Sequence, residues 1–424
     1  MATREQYIPK PIPGIEMSHI QINKDNDYYV LHNPNSNTYL KVDPENFYLW
    51  QLINGKRSVA DIILAYYEKF GSYPLERLSD LMKQLEANYL IEGDSGKSDD
   101  SQKGDSKDLL EKLAADAFQK EFAFKNADKF FDTVYRYFGR FFFMKPTLII
   151  LSLISISGLV LFIYWELEDP FYFINYMKEN DFAFIALIIL FPILTFLHEL
   201  GHALTCKYYG RRVNKAGLMF YLGMPVFFVD STDMWLEERR FARAAVAFAG
   251  PAINMFIAGF FCLVVAVIPW NNFAMLLYYQ IVYLNFFLVL LNLNPLLEYD
   301  GYYILSEYLG IHNLRKASFS YIFNSIKGKL KKNEYSSRER RIYAIYGSLS
   351  LAYTAMTILL VLYIWESRFG KFISIVFSNA DLSADVFVSI LSIIAGACLA
   401  VGLFARCIIH FKRLVKKKPI KERG

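Results

Sequence analysis

Three residues at close spacing, His198, Glu199 and His202, have the side chains needed for metal-dependent hydrolysis. Residues four apart lie on one face of a helix, so the two imidazoles can bind one ion. Glu199 lies beside them and can act as a general base. All three fall within residues 182–206, an apolar run long enough to cross a membrane. Ionisable groups are costly there and usually functional, so the pattern favours a metal site over a structural histidine pair.

A catalytic zinc site needs a third protein ligand and an open position for water. A later apolar run ends at Asn292, and Pro295 is expected to end its helix. The turn that follows contains two carboxylates, Glu298 and Asp300. Asp300, which precedes Gly301, is the better candidate ligand, and the alternative is an ordinary solvated turn aspartate.

The elements that must position these residues are membrane helices. The chain has 424 residues, of which 54% are hydrophobic and 17% aromatic, which is typical of a polytopic membrane protein with a soluble part. The first 15 residues lack an apolar core, so no cleavable signal peptide is expected. Six helices are predicted to cross the membrane, at residues 147–165, 182–206, 241–269, 272–293, 342–365 and 386–411.

The positions of the basic residues predict the orientation of these helices. Lys and Arg precede the first span, follow the second, and recur in residues 327–341 and in the C-terminal tail, whereas the first loop is acidic. This pattern predicts a multi-pass protein of the cytoplasmic (inner) membrane with both termini in the cytosol. The net charge of +5 comes from these basic residues beside the predicted spans, so a lipid bilayer and not nucleic acid is the expected partner.

The soluble part is predicted to be a small α+β domain at residues 1–93. Strand-like stretches are followed by three helical patterns that begin near Asp43, Ser58 and Pro74, an order typical of a winged helix. Residues 94–108 contain no apolar residue and are expected to be a flexible linker. Residues 109–143 are amphipathic and are predicted to be an interfacial helical segment, before a six-helix membrane domain at 144–424.

Residues 217–235 are apolar but too short to span a membrane, and they are broken by Gly223 and Pro225. Irregular backbone at membrane depth is tolerated only against protein or a wet cavity. A re-entrant hairpin beside the metal site is therefore predicted, with Gly223 and Pro225 as substrate-contacting residues. The alternative is a short interfacial loop.

The two halves of the site resemble the site-2 protease family of intramembrane zinc metalloproteases. The family has HExxH on one span and N-x-x-P-x-x-x-x-D-G on a later one, which Asn292, Pro295, Asp300 and Gly301 match at the same spacing. Residues 250–254, Gly-Pro-Ala-Ile-Asn, resemble the family's Gly-Pro-x-x-Asn element. The resemblance covers about residues 180–310, which would be the catalytic core.

The resemblance implies a role for each matching residue. It assigns zinc to His198, His202 and Asp300, the general base to Glu199, and substrate contacts to Asn254 and Asn292. Asn292 would orient the peptide or stabilise the developing oxyanion. The chain has Glu298 where many members have a second proline, and Tyr302 in place of a second glycine. These departures bear on the shape of the cleft and not on the metal ligands.

The N-terminal domain resembles the PqqD-like element that takes up a leader peptide as an added strand. A leader peptide would then bind at residues 28–40. Residues 224–235 resemble a segment of a bacterial subgroup of peptide zinc metalloproteases. A generic winged helix or regulatory domain is the alternative. The expected function is zinc-dependent cleavage of a membrane-associated or ribosomally made precursor peptide during maturation.

Three other functions are weighed against peptide maturation. Regulated proteolysis of a membrane-tethered regulator, such as an anti-sigma factor, uses the same chemistry. A di-iron desaturase needs about eight clustered histidines, whereas this chain has six, four of them scattered. A catalytically inactive peptide-binding or export partner does not need the complete set of ligands and base, which argues against it.

Overall fold

The computed structural model of this chain describes residues 7–23, 26–92, 119–170, 183–221, 224–267, 272–311, 313–328 and 335–377. The predicted linker at 94–108 and the sixth predicted span at 386–411 lie outside these residues. Within them, five helices are long and apolar enough to cross a membrane, namely Lys145–Glu168, Ala186–Tyr208, Arg240–Val267, Ala274–Asn292 and Ser337–Leu360. The prediction of a mainly helical, multi-pass chain is confirmed for the first five spans.

The N-terminal domain is a three-stranded sheet covered by three helices, in the order of strands and then helices that the sequence predicted. Its elements are β1 (Glu16–Asn23), β2 (Asn26–Asn33), β3 (Thr38–Val42), α1 (Pro44–Leu52), α2 (Val59–Phe70) and α3 (Leu75–Ala87). The strands are antiparallel in the order β1-β2-β3, so β2 is paired on both sides. Ser58 caps α2 through a capping box with Asp61, which satisfies backbone amides at the helix start. Leu31 and Leu40 pack from the sheet onto these helices.

The opposite face of this sheet packs against the membrane domain. Its contact is a 3₁₀ helix, Thr232–Leu236, and Ile20 and Val30 are fully buried there with Leu236. The Ser18 hydroxyl donates a hydrogen bond to the Leu236 carbonyl at 3.1 Å. Burial of these apolar side chains stabilises the contact by roughly 1.5–3 kcal/mol for each large side chain. The N-terminal domain is therefore docked on the membrane domain, whereas a flexible linker alone predicts two independent units.

Two side chains of β3 add specific contacts to the docked surface. The Tyr39 hydroxyl donates to Asp233 Oδ1 at 2.8 Å, and Asp233 also accepts the backbone N–H of Arg212. The Lys41 ammonium lies 4.1 Å from the centre of the Trp235 ring, a cation–π contact. The docked surface, defined by Ser18, Ile20, Val30, Tyr39 and Lys41 against residues 232–236, thus combines apolar burial with directed polar contacts.

The segment before the first membrane helix differs from its prediction. Of the predicted helical segment 109–143, the structure describes residues 119–143. Residues 119–123 form a strand, β4 (Gln119–Ala123), and helix follows in α4 (Ala127–Val134), a π-helical turn (Tyr135–Gly139) and a short helical turn (Arg140–Phe142). β4 pairs with a strand almost 100 residues later, where Gly217 allows a close approach because a Cβ there would lie 2.2 Å from the Phe122 carbonyl oxygen. This long-range pairing overrides the local amphipathic pattern.

The membrane domain is built around one central helix. Its elements are α5 (Lys145–Glu168), α6 (Ala183–Tyr208), β5 (Ala216–Tyr221), β6 (Met224–Val229), α7 (Arg240–Val267), α8 (Asn272–Asn292), α9 (Asp300–Leu309), α10 (Leu314–Ile326) and α11 (Ser337–Phe377). α7 contacts α5, α6, α8 and α9. Small residues permit these close approaches, because a Cβ on Gly158 of α5 would lie 2.1 Å from the Gly259 Cα of α7.

Candidate active site

Three predicted ligands converge where α6, α7 and the start of α9 meet. The Nε2 atoms of His198 and His202 are 3.1 Å apart, and both imidazoles are buried, at 6% and 8% exposure. Asp300 Oδ2 lies 3.1 Å from His198 Nε2, and Asp300 Oδ1 lies 3.5 Å from His202 Nε2. Residues 102 positions apart are thus brought into one cluster, while Glu298, the other carboxylate considered, is exposed in the preceding turn.

The spacing of these atoms fits a tetrahedral ion. Zinc bonds of 2.0–2.1 Å imply separations of about 3.3–3.4 Å between ligand atoms. The two Nε2 atoms are 3.1 Å apart, and Asp300 Oδ2 is 3.1 Å from His198 Nε2, both close to this value. The 3.5 Å contact to His202 is made by the other oxygen, Oδ1, and with one ligand atom taken from each residue the three atoms lie within 4.8 Å of one another. Two nitrogens and one carboxylate oxygen are also a ligand set that zinc uses in catalytic sites, so the residues present fit zinc.

The charge of Asp300 suits a ligand. Burial acts to raise the pKa of this carboxyl, but the adjacent His202 and His198 side chains outweigh it and lower the pKa to about 2. The two histidines thus favour the carboxylate form of Asp300, which is the form that binds a metal ion.

Gly250 makes room for the two imidazoles. A Cβ at this position would lie 2.5 Å from Nε2 of both His198 and His202. Only a residue without a side chain can bring α7 this close to the atoms that would bind the ion. Gly201 has a related role on α6, because a Cβ there would lie 2.8 Å from the Ala249 carbonyl oxygen.

A backbone carbonyl orients one of the two histidines. His202 Nδ1 lies 2.7 Å from the Val246 carbonyl oxygen, so this nitrogen carries the proton and Nε2 presents a lone pair to the cluster. His198 Nδ1 is buried without a hydrogen-bond partner in the described part of the chain. α7 therefore fixes the orientation of His202, and close packing around Gly250 confines both rings.

The hairpin predicted after the second span is present beside Glu199. β5 and β6 are antiparallel, β4 occupies the other side of β5, and β6 is an edge strand of this sheet. The Glu199 side chain lies beside the Val229 backbone of β6, and the Phe196 ring packs edge-on against Phe227 at 5.0 Å. The edge of β6 therefore faces the helix that carries the histidines.

The backbone of β6 is arranged for pairing on that edge. Alternate residues of a strand direct their N–H and C=O groups to the same side, so Phe227 and Pro225 share the side of Val229. Proline lacks an N–H, and on the side of β6 that faces away from β5 no N–H is needed for pairing within the hairpin. Pro225, one of the predicted substrate-contacting residues, is thus on the edge facing α6, whereas Gly223 lies outside the described residues.

The two predicted substrate-contacting asparagines occupy different environments. Asn292 is partly buried at the end of α8 and donates to the Leu288 carbonyl at 3.0 Å. Asn254 lies on α7, one turn beyond Gly250, with 0% exposure. Neither amide atom of Asn254 has a hydrogen-bond partner among the described residues. Its full burial does not allow a direct contact with substrate in this conformation.

Sequence reasoning did not identify three contributors to the site. In the sequence, Gly250 stands out as part of a family-like element, and nothing there indicates that it makes space for the imidazoles. Val246 and Val229 act through their backbones, which leave no trace in residue type. Only the Gly-Pro pair in an apolar helix could have drawn attention to close packing there.

The comparisons with known proteins are consistent with this geometry. Residues 186–280 match the model of peptidase family M50, the site-2 protease family. The match supports a protease; it includes both histidines, Glu199, the hairpin and Gly250, and it ends before Asp300. An uncharacterized protein of Methanocaldococcus jannaschii is 31% identical over 117 residues, and the alignment spans 27% of this chain and 30% of that relative. No solved structure matches the chain.

Proposed function

We propose that this chain is a zinc metalloendopeptidase that cleaves peptide bonds at or within the cytoplasmic membrane, with both termini in the cytosol. The observation that carries the proposal is the buried cluster that Asp300 forms with His198 and His202, which lie beside Glu199 in a candidate membrane-spanning helix. Ionisable side chains are costly to bury in a membrane, so a cluster of them there usually has a function. His198 and His202 through Nε2, and Asp300 through its carboxylate, would hold the ion.

A zinc ion bound there would supply Lewis-acid activation of a water molecule and of the scissile carbonyl. The chain's own residues perform the remaining steps. Glu199 accepts a proton from the attacking water and delivers it to the leaving amine when the C–N bond breaks. The Val229 amide, which lies beside Glu199, is proposed to orient its carboxylate. Asn292 is proposed to orient the peptide or to stabilise the charge that develops on the carbonyl oxygen.

The substrate is proposed to bind as an added strand on β6. A helical peptide hides its carbonyls in its own hydrogen bonds, so it must be extended before it can be cut. On the edge of β6, the N–H and C=O groups of Phe227 and the carbonyl of Val229 are available for pairing with an extended peptide beside the general base, whereas β4 covers the other side of β5. An extended peptide on β6 would lie against α6, where the histidines are.

The N-terminal domain is proposed to capture a leader peptide of a ribosomally made precursor. Within the ribbon at residues 28–40, β2 is paired on both sides, so β3 is the strand at the edge of the sheet. β3 is also the strand that contacts Asp233 and Trp235, a few residues after β6 ends. A leader bound on β3 would therefore be held near the cleavage site, which raises the local concentration of the segment to be cut.

Cleavage of defined peptides tests the proposal. The full chain, reconstituted in lipid vesicles with zinc, is incubated with synthetic precursors copied from short reading frames beside its gene, with and without their leader segments. Mass spectrometry should find one main cut in the leader-bearing peptide, a much higher KM without the leader, and no cut by the Glu199→Gln variant. Equal cleavage with and without the leader would refute leader capture. No zinc-dependent cleavage of these peptides or of a membrane-tethered test helix would refute the protease.

A further inference from the structure

The loop that carries Asp300 into the cluster has only short-range hydrogen bonds of its own among the described residues. It connects α8 to α9, and its Pro295 and Glu298 are exposed. Asp300 is the first residue of α9, and the N-cap residue Tyr299 makes no side-chain capping bond. Within the loop, Asn294 Oδ1 accepts the Leu296 N–H at 2.9 Å, and the Leu297 carbonyl accepts the Tyr299 N–H at 2.8 Å. A carboxylate at the end of such a loop needs support from elsewhere if it is to be held at ligand distance.

That support comes from α11, which lies beyond the matched residues 186–280. The Tyr346 hydroxyl donates a hydrogen bond to the Pro295 carbonyl at 3.2 Å. The Ser350 hydroxyl donates to the next carbonyl, that of Leu296, at 3.3 Å. These two donors are four residues apart on one face of α11 and are buried, at 6% and 0% exposure. Two successive carbonyls of the loop are therefore fixed by one helix.

The surrounding packing makes this attachment rigid. Tyr346 belongs to a buried cluster with Tyr302 of α9, and Leu296 packs against the same cluster. On the other side of the loop, Gly301 lies so close to Leu293 that a Cβ would meet its carbonyl oxygen at 2.3 Å. A shift of Pro295 or Leu296 would therefore be transmitted to the start of α9.

We propose that Tyr346 and Ser350 are positioning residues for the metal site: through the Pro295 and Leu296 carbonyls, they set the place of Asp300 opposite the two histidines. The inference rests on the metal site of the proposed function. It assigns to α11 a part in metal binding that its distance in sequence from the histidines does not suggest. Outer partners of metal ligands typically change metal affinity about 10–100-fold when removed.

Metal affinity of the full-length protein tests this role without a peptide substrate. In the Tyr346→Phe/Ser350→Ala variant, two hydroxyl groups are lost with little change in volume. Competition with a zinc chelator should show affinity lowered at least about 10-fold. With Co²⁺ in place of zinc, the visible absorption typical of tetrahedral coordination should weaken as Asp300 loses its fixed position.

Tyr343→Phe is the matched control, because Tyr343 lies one turn earlier on α11 and its ring packs against Tyr321 and Tyr335 in the same cluster. This variant should bind zinc as the wild type does. Unchanged zinc affinity and Co²⁺ absorption in the double variant would overturn the proposal, as would an equal loss in Tyr343→Phe. A chain that binds zinc but cuts no peptide would refute the protease and leave this result standing.

Discussion

Replacing Gly250 by alanine is expected to remove zinc binding while leaving the fold in place. The added Cβ would lie 2.5 Å from Nε2 of both His198 and His202, whereas ordinary contacts are 3.4–4 Å. Both rings, or α7 itself, must therefore move by about 1 Å. Metal–ligand distances tolerate only about 0.2 Å, so the displacement breaks at least one bond to the ion. Removing a group that only hydrogen-bonds a metal ligand lowers metal affinity by about 10–100-fold. Because this substitution displaces the ligands themselves, we expect zinc affinity to fall by at least about 100-fold.

Chelator competition measures the affinity, and thermal unfolding measures stability in the same samples. Gly259→Ala is the matched control, because it adds the same methyl group to the same helix and meets the Ile154 carbonyl oxygen at 2.6 Å, at the contact with α5. It should lower the unfolding temperature, as overpacking does, yet retain zinc. Wild-type zinc affinity in Gly250→Ala, or equal loss in Gly259→Ala, would refute the reasoning.

Three further predictions concern the base, the docked domain and a buried ion pair. Glu199→Gln should retain zinc but lower cleavage by about a hundredfold or more, because the amide cannot accept the proton from water; near wild-type turnover would exclude the general-base role. Trp235→Ala should increase hydrogen exchange in β1 and β3 with zinc content unchanged, and unaltered exchange would show that this contact does not hold the domain. Arg243→Met should destabilise the chain by about 3–5 kcal/mol, because the Glu307 carboxylate, 14% exposed, loses its partner. Adding Glu307→Leu should restore part of the lost free energy of unfolding, measured by denaturant titration. No recovery in the double variant would argue against the ion pair.

The sequence predicts those parts of the site that depend on residues close together in the chain. His198 and His202 face the same way because a helix repeats every 3.6 residues, and that periodicity is visible in the sequence. Asp300 could be chosen as a ligand because a helix-ending proline is followed by few carboxylates. The order of strands and helices in the N-terminal domain was likewise visible, since Ser58 and Pro74 mark helix starts.

The parts that the sequence does not predict depend on contacts between distant segments. The pairing of β4 with β5 depends on the space above Gly217, and nothing within residues 119–123 indicates that partner. Docking of the N-terminal domain buries side chains such as Ile20 of β1 and Val30 of β2. Apolar residues alternate along a strand in the same way whether they face the domain's own core or another domain, so the sequence does not reveal the docking. The support of Asp300 by Tyr346 comes from a helix whose sequence only predicts a membrane span.

X-ray absorption at the zinc edge, combined with elemental analysis of the purified protein, tests the central claim most directly. The wild type should contain one zinc per chain, with two imidazole nitrogens and at least one oxygen at about 2.0–2.1 Å. His198→Ala and His202→Ala together should abolish bound zinc, and Asp300→Ala should reduce it and remove an oxygen from the spectrum. Zinc content and ligand shell unchanged in these variants would contradict the account.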